Sequence, residues 1–353
     1  MQRRKGGGES ELSAAPLNLS DVDLAQAGEL LTNMLRAFEK SLELRPVMPQ
    51  LDRYQLSDLL TEPFPETGLG VGSLFQQIEA KVLPNSTTVA HPRFLAYVLG
   101  PPNGIAPFAE AIAAALNQNC NFWQLSPAAS VIERKVVNWL GSLFDYPETA
   151  GGILTSGGSM ATLMALATAV HCKSPIDVRR VGLSALDSPL VVYSSEEAHR
   201  CVEKGAAILG IGLDNVRKIP VDSDYRMRVD ALESAIAQDR KDQKSPLCVV
   251  ATAGTVNTGA IDPVDDLAEV CARENLWLHV DGAYGALFAL SERLKSSLSP
   301  CGRADSIALD PHKLLFAPLE AGCLIVRDRQ TLRKAFHFAS SYLTVEEDPL
   351  LTN

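Results

Sequence analysis

Apolar residues along this chain follow two patterns, and the change from one to the other divides it. Between Asp21 and Leu44 they recur at helical spacing, behind Ser20, a residue type that caps helices, and ahead of Pro46 and Pro49, which end the stretch. A second helical stretch runs from about Val71 to Val82, before His91-Pro92. From about Gly104 to Arg327 short continuous apolar runs alternate with helical stretches. Runs that are apolar at every residue suit strands covered on both sides, so this region predicts a mainly parallel sheet with helices on both faces. No repeat occurs at solenoid spacing. Residues 1–18 are polar and glycine-rich, which predicts a disordered tail, and the Arg3-Arg4-Lys5 cluster within it reads as solvated.

Chemistry-bearing residues gather where the apolar runs stop. Ser306-Ile307-Ala308-Leu309 leads through Asp310-Pro311-His312 to Lys313, and the chain returns along Ala321 to Val326. A lysine held partly desolvated at a strand end can lose its proton near neutral pH and attack an aldehyde. Leu276 to Val280 delivers Asp281 at the end of a second buried run, followed by Gly282 and Ala283. A carboxylate there can keep a pyridinium nitrogen protonated, which turns the ring into an electron sink. Gly151 to Thr162 reads as a small-residue loop before an apolar helix over 163–169, and Gly157, Gly158 and Ser159 have the composition of a phosphate cradle. The loop matches neither the P-loop nor the full dinucleotide pattern.

Two further runs complete the set. Val191 to Ser195 leads into a polar turn, with His199 one helical turn into the next segment, where it could stack on a cofactor ring or shuttle a proton. Leu247 to Thr255 places Thr252 at a strand end, within reach of a cofactor. Each residue has a plainer reading alone: lysines are ordinarily solvated, strand-end aspartates cap helices, glycine-rich segments turn, and threonines occupy turns. The serial order of phosphate loop, His199, Thr252, Asp281 and Lys313, one at each strand end, is far more specific than any member.

On these residues the chain resembles the group II pyridoxal-phosphate-dependent amino acid decarboxylases, which include the aromatic amino acid, glutamate and histidine decarboxylases. The resemblance is carried by Thr155 to Thr162, Ala198-His199, Ala251 to Thr255, His279 to Tyr284 and Asp310 to Lys313. His91 to Phe94 and Trp123 to Ala128 look like the family's N-terminal motifs, so the likeness runs from about Leu19 to the end. It implies an α/β fold-type-I architecture, a mainly parallel seven-stranded sheet flanked by helices. It also implies pyridoxal 5'-phosphate as cofactor, a homodimer, and decarboxylation of an L-amino acid through a Schiff base on Lys313. Lys313, His199 and Asp281 are then the catalytic residues. The cofactor is held by Gly157, Gly158, Ser159, His199, Thr252, Asp281, Ala283, Asp310, His312 and Lys313, with no metal. The implied domains are a helical arm over 19–100, a large cofactor domain over 101–340 and the start of a mobile loop over 341–353. Transamination or lyase cleavage would use the same cofactor residues, and a non-catalytic chain that dimerises with a longer relative would retain them too.

Composition narrows the class further. With 32 Lys+Arg against 42 Asp+Glu the formal charge is −10, which argues against a nucleic-acid surface. A chain of 353 residues that is 46% hydrophobic and 21% charged suits a soluble enzyme with a large core. The sequence has no apolar run long enough to span a bilayer and no signal-peptide core at its start, so no membrane partner is expected. Seven cysteines without a C-x-x-C pair read as free thiols, some of them, such as Cys248 and Cys323, serving as small hydrophobes. A reducing cytoplasm is the compartment expected.

Three departures from the family pattern stand out. Relatives continue for roughly a hundred residues, a small-domain length, through a mobile loop and a C-terminal domain that carries a substrate-binding arginine. This sequence stops where that loop begins, which leads to the expectation of a truncated chain that binds the cofactor and decarboxylates poorly. Leu314 stands where relatives often have Trp, and Asp310 where many have Asn, which would set a carboxylate facing a phosphate. Tyr97 and Gly100, at pocket-lining positions after Phe94, do not select one substrate.

Overall fold

The computed structural model describes residues 19–49, 61, 67–120 and 123–337. It divides into two compact units, Met1–Leu95 and Ala96–Asn353.

In the first unit a helix spans Asp21–Ser41. Ser20 caps it by accepting the Asp23 amide at 3.1 Å, and Asp21 and Asp23 place negative charge at its positive end. A 3₁₀ turn, Leu42–Leu44, comes next, and Pro46 then accepts a hydrogen bond through its carbonyl from the Thr88 hydroxyl at 3.0 Å. The second helix, Val71–Gln77, passes into a π-helical turn over Ile78–Val82. Both helices lie where their apolar periodicity predicts. His91 and Phe94 are buried in this unit, with the Arg93 amide donating to His91 Nδ1 at 2.9 Å.

The second unit is built on seven strands: β1 Gly151–Thr155, β2 Leu190–Ser195, β3 Val216–Ile219, β4 Ser245–Thr252, β5 Trp277–Asp281, β6 Ser306–Leu309 and β7 Gly322–Val326. Their spatial order is β1-β7-β6-β5-β4-β2-β3. All pairings are parallel except those of β7, which runs antiparallel to both β1 and β6. The expected mainly parallel α/β sheet is therefore present. Every residue of β2, β5, β6 and β7 is buried, which explains why these strands read as largely apolar runs, with polar residues such as Ser194, His279 and Ser306 buried among them. On one face Val249, Leu278, Val280 and Ile307 pack on Leu140, Leu232, Ile236 and Leu267, from the helices Pro127–Ser142, Val229–Lys241 and Val264–Glu274. On the other, Val192, Cys248 and Val250 meet Leu166, Val170 and Val202, from the helices Gly158–Lys173 and Cys201–Ile208.

Two local expectations need correction. Gly151 to Thr162 is not one loop: β1 occupies its first five residues, and the helix begins at Gly158 rather than near Leu163. The glycines mark close packing, since a Cβ on Gly152 would stand 2.2 Å from the Leu324 carbonyl oxygen of β7. His199 lies in the turn before the helix Cys201–Ile208, not one turn into it. Its imidazole takes the amide of Cys201, the first helical residue, at 3.2 Å.

All seven cysteines are free, with Cys248 and Cys323 fully buried as expected of small hydrophobes. Among the described residues no helix is long and apolar enough to cross a membrane.

Candidate active site

The C-terminal ends of β4, β5 and β6 line up in register, so their last side chains share one edge of the sheet. Asp281 stands opposite Thr252 on one side and Ala308 on the other. It is 7% exposed. Its Oδ1 accepts the Ala283 amide at 3.2 Å, and its Oδ2 lies 3.4 Å from Cys201 Sγ, the thiol donating. His199, exposed in the turn after β2, closes this group: one donor atom each from His199, Cys201 and Asp281 lie within 4.8 Å of one another. Such a set could grip a cation only with the thiol deprotonated, and burial together with Asp281 drives the Cys201 thiol the opposite way.

Thr252 ends β4 with its amide donating to Asp262 Oδ2 at 2.7 Å, while its own hydroxyl is buried without a partner among the described residues. Ser194 and Ser195, at the end of β2, carry buried hydroxyls in the same condition.

Lys313 is reached through a single helical turn, Pro311–Leu314, with proline in the first turn, where its missing N–H costs nothing. Its Nζ lies 3.0 Å from Asp310 Oδ2, and its side chain is 23% exposed. Asp310 is buried and its Oδ1 has no partner among the described residues. A buried carboxylate needs a counter-charge, and here Lys313 supplies it. His312 Nε2 lies 3.9 Å from Asp310 Oδ2, with Nδ1 held 2.6 Å from the Ala321 carbonyl oxygen.

The turn between β1 and its helix meets this corner. A Cβ on Gly158 would come 2.8 Å from Ala283 Cβ and 3.0 Å from Asp310 Oδ2, so the helix can begin there only on glycine. One on Gly157 would touch His312 Cε1 at 3.7 Å. Gly157, Gly158, Ala283, Asp310, His312 and Lys313 thus form one corner, and His199, Asp281 and Thr252 another along the same sheet edge. Ser159 is exposed in the first turn of the helix, where main-chain amides lack intrahelical acceptors. Gly100 lies against this region too, since a Cβ there would stand 2.8 Å from the Lys313 carbonyl oxygen.

Sequence reasoning assigns no role to the side chains behind Asp281. His279 Nε2 lies 3.4 Å from Thr162 Oγ1, its Nδ1 lies 2.9 Å from Ser306 Oγ, and Trp277 Nε1 donates to that same oxygen at 2.9 Å. The period of two along a strand, which puts residues 277, 279 and 281 on one face, is the signal that could find them. Complete burial pushes the His279 pKa down to about 4. An imidazole that protonates near 6.5 when unfolded but near 4 when folded binds fewer protons in the native state across that window. Its contribution is whole above 6.5 and is lost as pH falls toward 4. Asp262 acts in the opposite sense, because burial raises its carboxyl to about 6 and the native state takes up its proton first. The urea midpoint of His279→Gln should therefore fall less than that of the unchanged protein between pH 7 and pH 5. Parallel pH dependences in the two proteins would show that His279 is not held neutral by the fold.

Residues 54–352 match the family model described as the pyridoxal-dependent decarboxylase conserved domain. An aromatic-L-amino-acid decarboxylase of Bacillus atrophaeus is 37% identical over 94% of this chain and 67% of its own length. An L-2,4-diaminobutyrate decarboxylase of Rhizobium meliloti (strain 1021) is 39% identical over 76% of this chain, which corresponds to 52% of the relative. The chain thus spans about half to two thirds of these curated relatives. Among solved structures, Oryza sativa TDC with PLP and tryptamine superposes with a TM-score of 0.86 at 29% identity, covering 95% of this chain and 69% of the other. A matching family model over most of the chain, on a sheet that brings a lysine and an aspartate to one edge, establishes that this chain belongs to the pyridoxal-dependent decarboxylase family.

Proposed function

We propose that this chain carries the cofactor core of an L-amino acid decarboxylase, with Lys313 as the residue that binds pyridoxal phosphate covalently. The observation that carries the reading is the Lys313–Asp310 pair at the end of β6, beside Asp281 at the end of β5. The described residues fit the cofactor on their own terms. A buried partnerless hydroxyl at Thr252, opposite Asp281 in the sheet, and the free first-turn amides of the helix starting at Gly158 suit a polar ligand with an anionic group.

When bound, pyridoxal phosphate supplies the electron sink for the bond that breaks at the substrate α-carbon. The chain's own residues would do the rest. Lys313 would furnish the amine, held until then by Asp310. Asp281 would hold a proton at the ring nitrogen. His199, Thr252 and Ala283 would hold the ring, and Gly157, Gly158, Ser159 and His312 would receive the phosphate at a helix start. Orientation is the main protein contribution, because a scissile bond misaligned by about 1 Å can cost on the order of a hundredfold in rate.

The protein is a homodimer of the cytoplasm on this reading. Phe108, Ile112 and Leu116, exposed on the helix Ala106–Leu116, offer apolar surface to a second copy, and seven free thiols suit a reducing compartment. The test is CO2 release from aromatic, acidic and diamino L-amino acids by cofactor-loaded protein, with sedimentation reporting the dimer. CO2 from one class supports the reading and names the substrate. Formation of a keto acid without CO2 would replace it with transamination, and cofactor uptake with no turnover of any amino acid would leave a cofactor-binding role only.

A further inference from the structure

Behind Asp281 five side chains form a continuous buried chain of hydrogen-bond neighbours. It runs from Trp277 Nε1 to Ser306 Oγ at 2.9 Å and from Ser306 Oγ to His279 Nδ1 at 2.9 Å. His279 Nε2 then lies 3.4 Å from Thr162 Oγ1, Thr162 Oγ1 lies 3.8 Å from Cys201 Sγ, and Cys201 Sγ lies 3.4 Å from Asp281 Oδ2. Its two ends have no freedom of role. The indole N–H can only donate, and an ionised carboxylate can only accept.

We propose that this chain is a one-way relay that fixes a thiol donor on Asp281, making Cys201 a positioning residue for the carboxylate that meets the cofactor ring. With Ser306 Oγ taking the indole proton, its own hydroxyl donates to His279 Nδ1. In this relay the imidazole carries its hydrogen on Nε2, which donates to Thr162. The Thr162 hydroxyl turns to Cys201 Sγ, and the S–H is left for Asp281. A neutral imidazole is required at the centre, and complete burial keeps His279 neutral. Each member is buried, so water cannot substitute for a missing link.

A thiol is a weak donor, and that weakness has a consequence for the ring nitrogen. With Oδ1 already taken by the Ala283 amide, a carboxylate whose Oδ2 receives only a weak thiol bond stays more basic and shares its charge more strongly with the pyridinium than one given a strong second donor. The proposal rests on the cofactor reading above, and its test separates the two. Protein loaded with ¹⁵N-ring-labelled pyridoxal phosphate is measured for the ring ¹⁵N shift and for the cofactor dissociation constant. Cys201→Ser, with a stronger hydroxyl donor, should move the ring ¹⁵N shift toward the unprotonated value and weaken binding about tenfold, the scale of one hydrogen bond to a charged group. Cys201→Ala, with no donor, should move the shift in the opposite direction. Trp277→Phe, which frees the relay's head, should move it as Cys201→Ala does, by less. Identical ring shifts in the Ser and Ala variants would overturn the relay. An unmodified protein with no ring ¹⁵N signal from bound cofactor would overturn the cofactor reading itself.

Discussion

Lys313→Ala should abolish covalent attachment of pyridoxal phosphate. Borohydride reduction of cofactor-treated protein, followed by peptide mapping, should find the phosphopyridoxyl group on the peptide containing Lys313 and on no other lysine. The structure supplies a control, because Lys313 is also the counter-charge of the buried Asp310. Removing it strands a buried carboxylate, which costs several kcal/mol on the usual scale of about 3–5. Lys313→Arg keeps the positive charge but cannot lose its proton to become a nucleophile. It should therefore fold close to normally, and it should still fail to take the label. Label recovered from another lysine would sink the assignment.

Asp281→Asn should be nearly as severe, through affinity rather than attachment. The amide keeps the shape of the side chain and its place beside the Ala283 amide, but loses the charge that would pair with the ring nitrogen on the proposed reading. Removing one member of a buried charge pair costs about 2–5 kcal/mol, or roughly thirty- to several-thousandfold in a dissociation constant. Equilibrium dialysis of the cofactor measures this directly, without reliance on turnover. A dissociation constant within about twofold of the unchanged protein would make Asp281 a structural residue at a strand end.

Legibility in the sequence tracks burial. β5 and β6 lie inside a sheet covered on both faces, so each reads as a mostly apolar run that ends on or just before acidic and basic residues at the sheet edge. That is why Asp281 can be placed at a strand end from sequence, while Lys313 lies one helical turn beyond the end of β6 rather than at it. β1 hides for the opposite reason. Gly151 and Gly152 have poor strand propensity, and they are there because Arg329 and the Leu324 carbonyl leave no room for a Cβ. No local pattern reports a contact made by so distant a part of the chain. The group behind Asp281 is half visible. His279 shares a strand face with Asp281, but Thr162, Cys201 and Ser306 arrive from two helices and another strand, and three-dimensional proximity alone connects them to it. Asp310 is out of place beside an expected phosphate on sequence grounds, and the ion pair with Lys313 accounts for it.

The antiparallel strand β7 has a further consequence, one of timing. β1 is made well before most of the sheet, yet its sheet partner is β7, with Gly151 opposite Val326 and Thr155 opposite Gly322. Strands β4, β5 and β6 find their neighbours over shorter spans, while β1 must wait for the last strand of the sheet and bear the entropy of closing the longest loop. Until then the Gly157–Gly158 turn is held only from its helix side, where Ala161 and Ala165 pack against Ala308 of β6. The corner at Gly157–Gly158 is thus fixed from both sides only late in synthesis, after Asp281 and Lys313 already have their strands. The pairing of Gly151–Thr155 with Gly322–Val326 is therefore a late clamp that ties the first strand of the sheet to the last.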